Sequence, residues 1–201
     1  RLAQGRWLLL LADTELHLLF VLSAALSGLL FLSLLTTSGR PWSEALGHAL
    51  AVGFSAQTTT GYTTMPPGDL PAVGKLLVIL GMFVGGSLGS TAGGVRIVRL
   101  LVLLRLLQAV FHRVTSTRHT VIHAHLQGKR LDPDVAVDSL LVIGLFAMVN
   151  VVSWVAFVAA GFDPLDSLFD VVSATGTVGL SSGVVSPDLP VGLKALLCFG
   201  M

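Results

Sequence analysis

The sequence predicts an all-α integral membrane protein made of tandem repeats, each a helix, a re-entrant pore loop and a second helix. The first observation is composition: 53% of the 201 residues are hydrophobic and 11% are charged, whereas a soluble domain carries roughly 25% charged residues. The second is internal repetition, because residues 55–64 recur as residues 173–182 at a constant offset of 118. A D-L-P-x-x-x-K motif follows each copy, at residues 69–75 and 188–194. Two copies of one unit therefore fill the chain.

The outer helices are predicted from two long apolar stretches. Residues 1–12 are basic and are interpreted as the end of a preceding segment. Residues 16–35 form a nearly uncharged stretch of about 20 residues, enough to cross a hydrocarbon core of roughly 30 Å. Residues 135–160 are its counterpart. The first pore repeat is thus assigned to residues 13–111 and the second to residues 135–201.

A shorter helical stretch leads into each recurring segment, at residues 42–54 and 164–172. Such a half-helix directs the negative end of its dipole toward a cation at the membrane centre. Acidic and histidine side chains lie on or near these stretches. Local capping and hydrogen bonding is their favoured interpretation, and ion attraction at the pore mouth is the alternative. They are Glu44, His48, Asp166 and Asp170.

The recurring segment is rich in Thr and Gly and lies between apolar stretches. Backbone that is neither helix nor barrel persists at membrane depth only where it lines a water-filled or ion-filled path. Residues 59–62, T-T-G-Y, also resemble the T-V-G-Y-G filter of potassium channels, whose carbonyl oxygens replace an ion's hydration shell. The sequence therefore predicts a filter made of backbone carbonyls. Its residues are Thr59, Thr60, Gly61, Tyr62, Thr177, Val178, Gly179 and Leu180.

A returning helix is predicted after the first loop, with Asp69 as its cap and Pro71 in its first turn. It runs to about residue 108, and six glycines fall between residues 81 and 94. A small-residue stripe for close helix packing is one interpretation. Each Gly costs on the order of 1 kcal/mol relative to Ala in a continuous helix, so an unwound loop that acts as a gate is favoured. The run lacks the G-K-[ST] ending of a phosphate-binding loop.

Basic residues are concentrated on one side of the predicted membrane topology. Nine of the twelve Lys and Arg residues lie on segments that share a side if each repeat crosses out and back. The positive-inside rule places the termini and a basic loop, residues 112–134, in the cytoplasm, and the filter mouths outside. His119, His123 and His125 have no carboxylate or thiolate nearby, so a solvated, partner-facing loop is favoured over a metal site. For Arg96, a barrier in the ion path and snorkelling to the interface are equal alternatives.

The two filters and residues 85–99, G-G-S-L-G-S-T-A-G-G-V-R-I-V-R, resemble the Trk/Ktr/HKT superfamily of potassium transporters, in particular a bacterial Trk-type potassium-uptake membrane subunit. The resemblance covers essentially the whole chain and matches the third and fourth of four helix, pore loop, helix units. It implies half of a pseudo-fourfold pore. Gly61 and Gly179 match the potassium-selective Gly type of the family, whereas Ser in one repeat accompanies sodium permeation.

The resemblance further implies a gate, an ion and partners. The gate corresponds to Gly85, Gly86, Gly89, Ser90, Thr91, Gly93 and Gly94, with Arg96 just beyond them. K⁺ is the transported ion, held at the filter, and no covalently bound cofactor is expected. The location is the bacterial cytoplasmic (inner) membrane, crossed several times. Expected partners are lipid, the first two repeats of the same protein, a second copy in a homodimer, and a cytoplasmic nucleotide-binding regulatory subunit, but not nucleic acid.

Alternatives remain at the level of the whole protein. The chain lacks an initiator Met and its last helix has about 14 residues, which favours a fragment of a longer protein over a two-repeat protein that pairs with a second copy. A sodium-permeable protein or a non-conducting assembly module is the alternative function. An intramembrane enzyme ranks last because the sequence is expected to provide Ser and Thr hydroxyls at membrane depth but no buried His or Asp partner for them. A gated channel and a proton- or sodium-coupled symporter both fit these motifs.

Overall fold

The computed structural model describes residues 14–39, 41–86, 93–115, 125–126, 129–130, 133–187 and 189–201. These residues form two copies of a long helix, a short helix and a returning helix, with two short strand pairs. In chain order the elements are α1 (Thr14–Ser38), α2 (Trp42–Thr58), α3 (Ala72–Phe83), β1 (Val84–Gly85), β2 (Val95–Arg96), α4 (Ile97–Thr115), β3 (His125–Leu126), β4 (Lys129–Arg130), α5 (Pro133–Ala159), α6 (Pro164–Thr175) and α7 (Val191–Gly200).

The outer helices α1 and α5 are long and apolar. Within the described residues, two stretches are long and apolar enough to cross a membrane, Leu16–Ser38 and Val135–Ala159. Large side chains are exposed along both, such as Phe20 and Leu32 on α1 and Val152 on α5. A helix that is apolar on its outer surface as well as its inner one is typical of a membrane environment.

Prolines set the starts of the two short helices. Pro41 precedes α2 and Pro164 is the first residue of α6, where its missing N–H and fixed φ suit a first turn. The Asp163 carboxylate caps α6, accepting hydrogen bonds from the N–H groups of Leu165 and Asp166 at 3.0 and 3.1 Å. Asp163 therefore satisfies two backbone donors that have no partner inside the helix.

Both short helices extend about one turn farther than the sequence predicts, to Thr58 and Thr175. The polar composition of the recurring segment suggested an earlier end. However, the hydroxyl of Thr58 donates to the carbonyl of Phe54 at 2.6 Å, and that of Thr175 donates to Val171 at 3.0 Å. Threonine hydroxyls bonded four residues back are compatible with helix, so these residues stay in the last turn.

The returning helix of the first repeat is interrupted, as the sequence predicts. α3 ends at Phe83 and α4 begins at Ile97. Between them β1 and β2 pair in parallel, with Val84 opposite Val95. Gly81 still belongs to α3, where a Cβ would overlap the end of the Leu26 side chain. The packing interpretation therefore holds at Gly81, and the unwound interpretation holds for the described residues 84–86 and 93–96.

The predicted cap of the returning helix is wrong. Asp69 ends a short 3-10 turn, Pro67–Asp69, and the residue before α3 is Pro71. Leu70 precedes a proline, which disfavours helical backbone, and it is extended with φ −67° and ψ 139°. Asp69 is thus separated from the first turn of α3.

The basic loop between the repeats is shorter than residues 112–134, because helix extends into it from both sides. α4 continues to Thr115, beyond the predicted end near residue 108, and α5 begins at Pro133. Between these helices β3 and β4 pair antiparallel, with His125 opposite Arg130.

The two repeats share one hydrophobic core. α3 of the first repeat packs against α6 of the second, and α4 packs against α5. Val78 and Met82 of the first repeat lie in one cluster with Phe169 and Val172 of the second. Val178, from the second recurring segment, is buried in the same cluster. The core therefore fixes the two recurring segments relative to each other.

Candidate functional site

The two recurring segments, here called the first and second filter loops (residues 59–64 and 177–182), leave their helices in the same way. The N–H of Thr60 donates to the carbonyl of Ser55 at 3.0 Å, and the N–H of Val178 donates to the carbonyl of Ser173 at 2.8 Å. Each bond reaches five residues back, one more than an α-helical bond. The two loops therefore share a backbone hydrogen-bond pattern as well as a sequence pattern.

The backbone of both loops alternates in handedness. Thr59 and Gly61 have φ values of 53° and 73°, and Thr177 and Gly179 have 52° and 86°. Among the described residues, these two threonines are the only non-glycine positions with positive φ. A left-handed residue with a side chain costs roughly 1–2 kcal/mol, and such strain clusters at functional sites. Alternating handedness also turns successive peptide planes so that neighbouring carbonyl oxygens can face one side.

The filter glycines lie where the loops meet. A Cβ on Gly61 would overlap the carbonyl oxygen of Val178, so a side chain at position 61 would displace the second loop. Beyond the filter, a Cβ on Gly68 would lie 2.9 Å from the carbonyl oxygen of Ser182. A Cβ on Gly179 would meet no described atom within 4 Å, so its φ is the constraint there.

The two loops are held differently by their side chains. In the second loop, Val178 and Leu180 are 4% and 3% exposed, whereas Thr177 and Gly179 are exposed. The apolar pair anchors this loop in the core and leaves its other face open. In the first loop Tyr62, the counterpart of Leu180, is 67% exposed. The structure thus brings the eight predicted filter residues together as two adjacent but unequally anchored loops.

The glycine-rich interruption lies against the base of the second loop. A Cβ on Gly93 would overlap the carbonyl oxygen of Gly176 and would crowd the hydroxyl of Thr177. A Cβ on Gly85 would likewise overlap the carbonyl oxygen of Gly93. A Cβ on Gly94, which has a φ of 74°, would lie 3.0 Å from the carbonyl oxygen of Met82. These close backbone contacts of Gly85, Gly93 and Gly94, here called the neck, leave no room for side chains.

The remaining predicted gate residues divide into two groups. Gly86 is buried, and its carbonyl accepts a hydrogen bond from the N–H of Ile97 at 3.4 Å. Arg96 is half-buried in β2 opposite Gly85, at the neck itself, a position compatible with both of its interpretations. Gly89, Ser90 and Thr91 lie outside the described residues.

Two of the four acidic and histidine side chains singled out on the short helices make side-chain hydrogen bonds near the loops. Asp170 is 2% exposed and accepts hydrogen bonds from the hydroxyl of Ser181 and from two backbone N–H groups that follow it. The expectation that no buried acid lies beside a loop hydroxyl is therefore wrong at Ser181. In the first repeat, Nδ1 of His48 lies 2.7 Å from the hydroxyl of Thr64. Glu44 is in the first turn of α2, where a carboxylate complements the helix dipole.

An ion pair between the repeats has no counterpart in the sequence prediction. Nζ of Lys75 on α3 lies 2.5 Å from Oδ1 of Asp166 on α6. From sequence, Lys75 is only a marker of the repeated motif. The available signal was that a lysine in an apolar helix needs a partner when it is buried, but the identity of that partner depends on tertiary packing.

Among the described residues, no three His, Cys, Asp or Glu side chains lie close enough together to hold a metal ion. His119 and His123 lie outside the described residues, and the structure describes His125 by its backbone alone.

Comparison with known proteins gives consistent matches. The sequence model of the TrkH family, described as a cation transport protein, matches residues 6–201. A protein of Methanocaldococcus jannaschii named as an uncharacterized cation transporter is 37% identical over 137 residues, which are 68% of this chain and 29% of that protein. The Trk system potassium uptake protein TrkH of Vibrio parahaemolyticus is 30% identical over 166 residues, 78% of this chain and 34% of that protein.

The fold is similar to a solved structure as well. The crystal structure of the potassium transporter TrkH from Vibrio parahaemolyticus matches 94% of this chain and 41% of its own chain, with a TM-score of 0.82 and 26% identity. The chain thus spans about a third of the length of the curated relatives above.

Proposed function

Because the chain belongs to the TrkH family of cation transport proteins, we propose that it forms half of a potassium-conducting pore in the bacterial cytoplasmic membrane. The observation that carries this proposal is the doubled filter loop, with left-handed backbone at Thr59, Gly61, Thr177 and Gly179. Relatives named as Trk system potassium uptake proteins support potassium as the ion. The membrane location is supported by the family and by the two long apolar helices.

In the proposed mechanism, carbonyl oxygens of the two filter loops replace water around a dehydrated K⁺. The short helices α2 and α6 end at the loops, so their negative ends favour a cation there. K⁺ is the cargo, and only backbone groups contact it in the filter. The other two filter loops of a fourfold pore come from the first two repeats of the same protein.

We further propose that the glycine-rich segment is the gate. The support is the close approach of Gly93 to the carbonyl of Gly176 at the base of the second loop. Arg96 at the neck supplies a positive charge that opposes cation passage when the gate is closed. A cytoplasmic nucleotide-binding subunit acting on the basic side of a homodimer regulates this movement, and transport proceeds either by gated conduction or by symport.

The test is potassium rescue. The gene that encodes this chain, at its full natural length, is expressed in cells without potassium uptake, and growth is compared in low potassium with and without excess sodium. Growth in both media is expected, and a Gly61→Val variant, which places a side chain against the Val178 carbonyl, should abolish it. A protein that inserts normally yet supports neither growth nor potassium uptake in proteoliposomes would contradict the proposal and favour a non-conducting assembly module.

A further inference from the structure

We propose that Asp170 is a specificity-determining positioning residue, whose buried carboxylate holds the outer end of the second filter loop and thereby sets its preference for potassium. This inference rests on the proposed function of the loop as an ion filter. It concerns a side chain that does not contact the ion path itself and acts through the backbone that follows Leu180.

The contacts of Asp170 are all directed at one short segment. Its Oδ1 accepts a hydrogen bond from the N–H of Ser182 at 2.5 Å. Its Oδ2 accepts hydrogen bonds from the hydroxyl of Ser181 and the N–H of Val185, both at 2.9 Å. A carboxylate that is 2% exposed is very costly without such donors. The helix α6 and residues 181–185 therefore stabilise each other.

Ser182 extends this anchoring to two further elements. Its hydroxyl donates to the backbone carbonyl of Asp166 at 3.2 Å, and its own carbonyl lies against Gly68 of the first repeat. Gly179 precedes Ser182 by only three residues. Because few backbone torsion angles lie between them, a displacement of Ser182 also moves Gly179. The position of the Gly179 carbonyl thus depends on the Asp170 contacts.

The first repeat shows that the fold itself does not require this carboxylate. At the offset of 118, the counterpart of Asp170 is Val52, which is fully buried in the shared core. The first loop is held at its outer end by the His48 and Thr64 contact instead. A packing role at this helix position is met by valine, so the charged residue in the second repeat serves the loop.

The link to specificity follows from how carbonyl filters discriminate. K⁺ and Na⁺ carry the same charge, so selection depends on the spacing, number and field of the carbonyl oxygens. All three require a loop that does not collapse around the smaller ion. Loss of the Asp170 anchor should therefore affect the ratio of potassium to sodium uptake more than the amount of folded protein.

The experiment measures potassium and sodium uptake by the full-length protein in proteoliposomes. Asp170→Asn is nearly isosteric, but its NH₂ group replaces one of the two acceptor oxygens and so faces the N–H of either Ser182 or Val185. We expect the potassium-to-sodium ratio to fall roughly fivefold or more, in line with the loss of hydrogen bonds to a charged group. Ser181→Ala should cause a smaller fall. The matched control is Asp163→Asn on the same helix, because Asn caps as well as Asp, and its ratio should not change.

A second readout is independent of transport. Amide hydrogen exchange of Ser182 and Val185 should become faster in Asp170→Asn and stay unchanged in Asp163→Asn. An unchanged ratio, or unchanged exchange, in a membrane-inserted Asp170→Asn protein would overturn the inference. If that variant does not insert, an unchanged ratio in Ser181→Ala overturns it. If the wild-type protein does not prefer potassium, both the proposed function and the specificity role of Asp170 are wrong. Faster amide exchange in Asp170→Asn would then show that Asp170 still anchors the loop and that only the assigned function has failed.

Discussion

At the scale of single residues, the two filter glycines are constrained by different forces. Gly61 must be glycine because of both its φ of 73° and the adjoining Val178 carbonyl. A Cβ on Gly179 would have no described atom within 4 Å, so its φ of 86° is the remaining constraint. Substitution at position 61 should therefore disturb both loops, whereas substitution at position 179 should act on its own loop. This difference makes Gly179 the better probe of selectivity.

The residue-scale prediction is that Gly179→Ser weakens the preference for potassium over sodium. A side chain at this φ is strained by roughly 1 kcal/mol, and the backbone should relax by moving the carbonyls beside it. The measurement is the relative uptake of the two ions by the full-length protein. Gly161→Ala is the matched control, since Gly161 also has a positive φ, 92°, and open surroundings, but lies in the turn just after α5. An unchanged ratio in Gly179→Ser would count against the filter assignment.

Sequence alone predicts which residues form the loops, because a Thr- and Gly-rich segment that recurs within an apolar chain is typical of a pore lining. It could not predict that Asp170 supports the second loop. A carboxylate on a short helix can cap, face water or face an ion with the same local sequence. Its partners, Ser181, Ser182 and Val185, become identifiable only when the loop folds back over the helix.

At the scale of elements, the interrupted helix was predictable from the cost of its glycines, but its boundaries were not. Gly81 remains helical because Leu26 of α1 packs against it, an effect of a neighbouring helix that local sequence does not contain. Gly93, in contrast, lies against the backbone of the second filter loop. Glycines with one common spacing therefore serve two purposes, helix packing and close approach to the filter.

These two glycines give the element-scale prediction. Gly93→Ala should lower the potassium uptake rate strongly, because its methyl group would displace the rigid carbonyl of Gly176 at the base of the filter. Gly81→Ala, the matched control, should retain most uptake, because the Leu26 side chain can rotate away. Initial uptake rates, normalised to inserted protein, provide the measurement. Equal rates for the two variants would show that the neck does not couple to the filter.

At the scale of the whole molecule, the two repeats share a backbone conformation at their filter loops but differ in the side-chain contacts of their motif lysines. Both filter loops share the helix exit and the φ pattern. The lysines of the repeated D-L-P-x-x-x-K motif, however, have diverged: Lys75 pairs with Asp166 across the repeats, while Lys194 donates to the carbonyl of Pro187 within its own repeat. Repeat symmetry predicted the first property and would have mispredicted the second, because a partner outside the repeat cannot follow from the repeat.

The Lys75 pair should therefore matter for holding the repeats together. The two side chains are 11% and 27% exposed, so removing the lysine leaves a half-buried carboxylate without its cation. We expect Lys75→Met to lower the free energy of unfolding by roughly 1–3 kcal/mol, after allowance for solvent screening at Asp166. Thermal unfolding of the full-length protein in detergent is the measurement, and the reversed pair Lys75→Asp with Asp166→Lys should regain part of the loss. Lys194→Met, which removes a lysine at the same motif position without breaking a contact between repeats, should cost less. If the two Met variants were equally destabilised, the loss would come from removing a lysine of the repeated motif and not from breaking the Lys75–Asp166 pair. The shared core of α3 and α6 would then be sufficient to join the repeats.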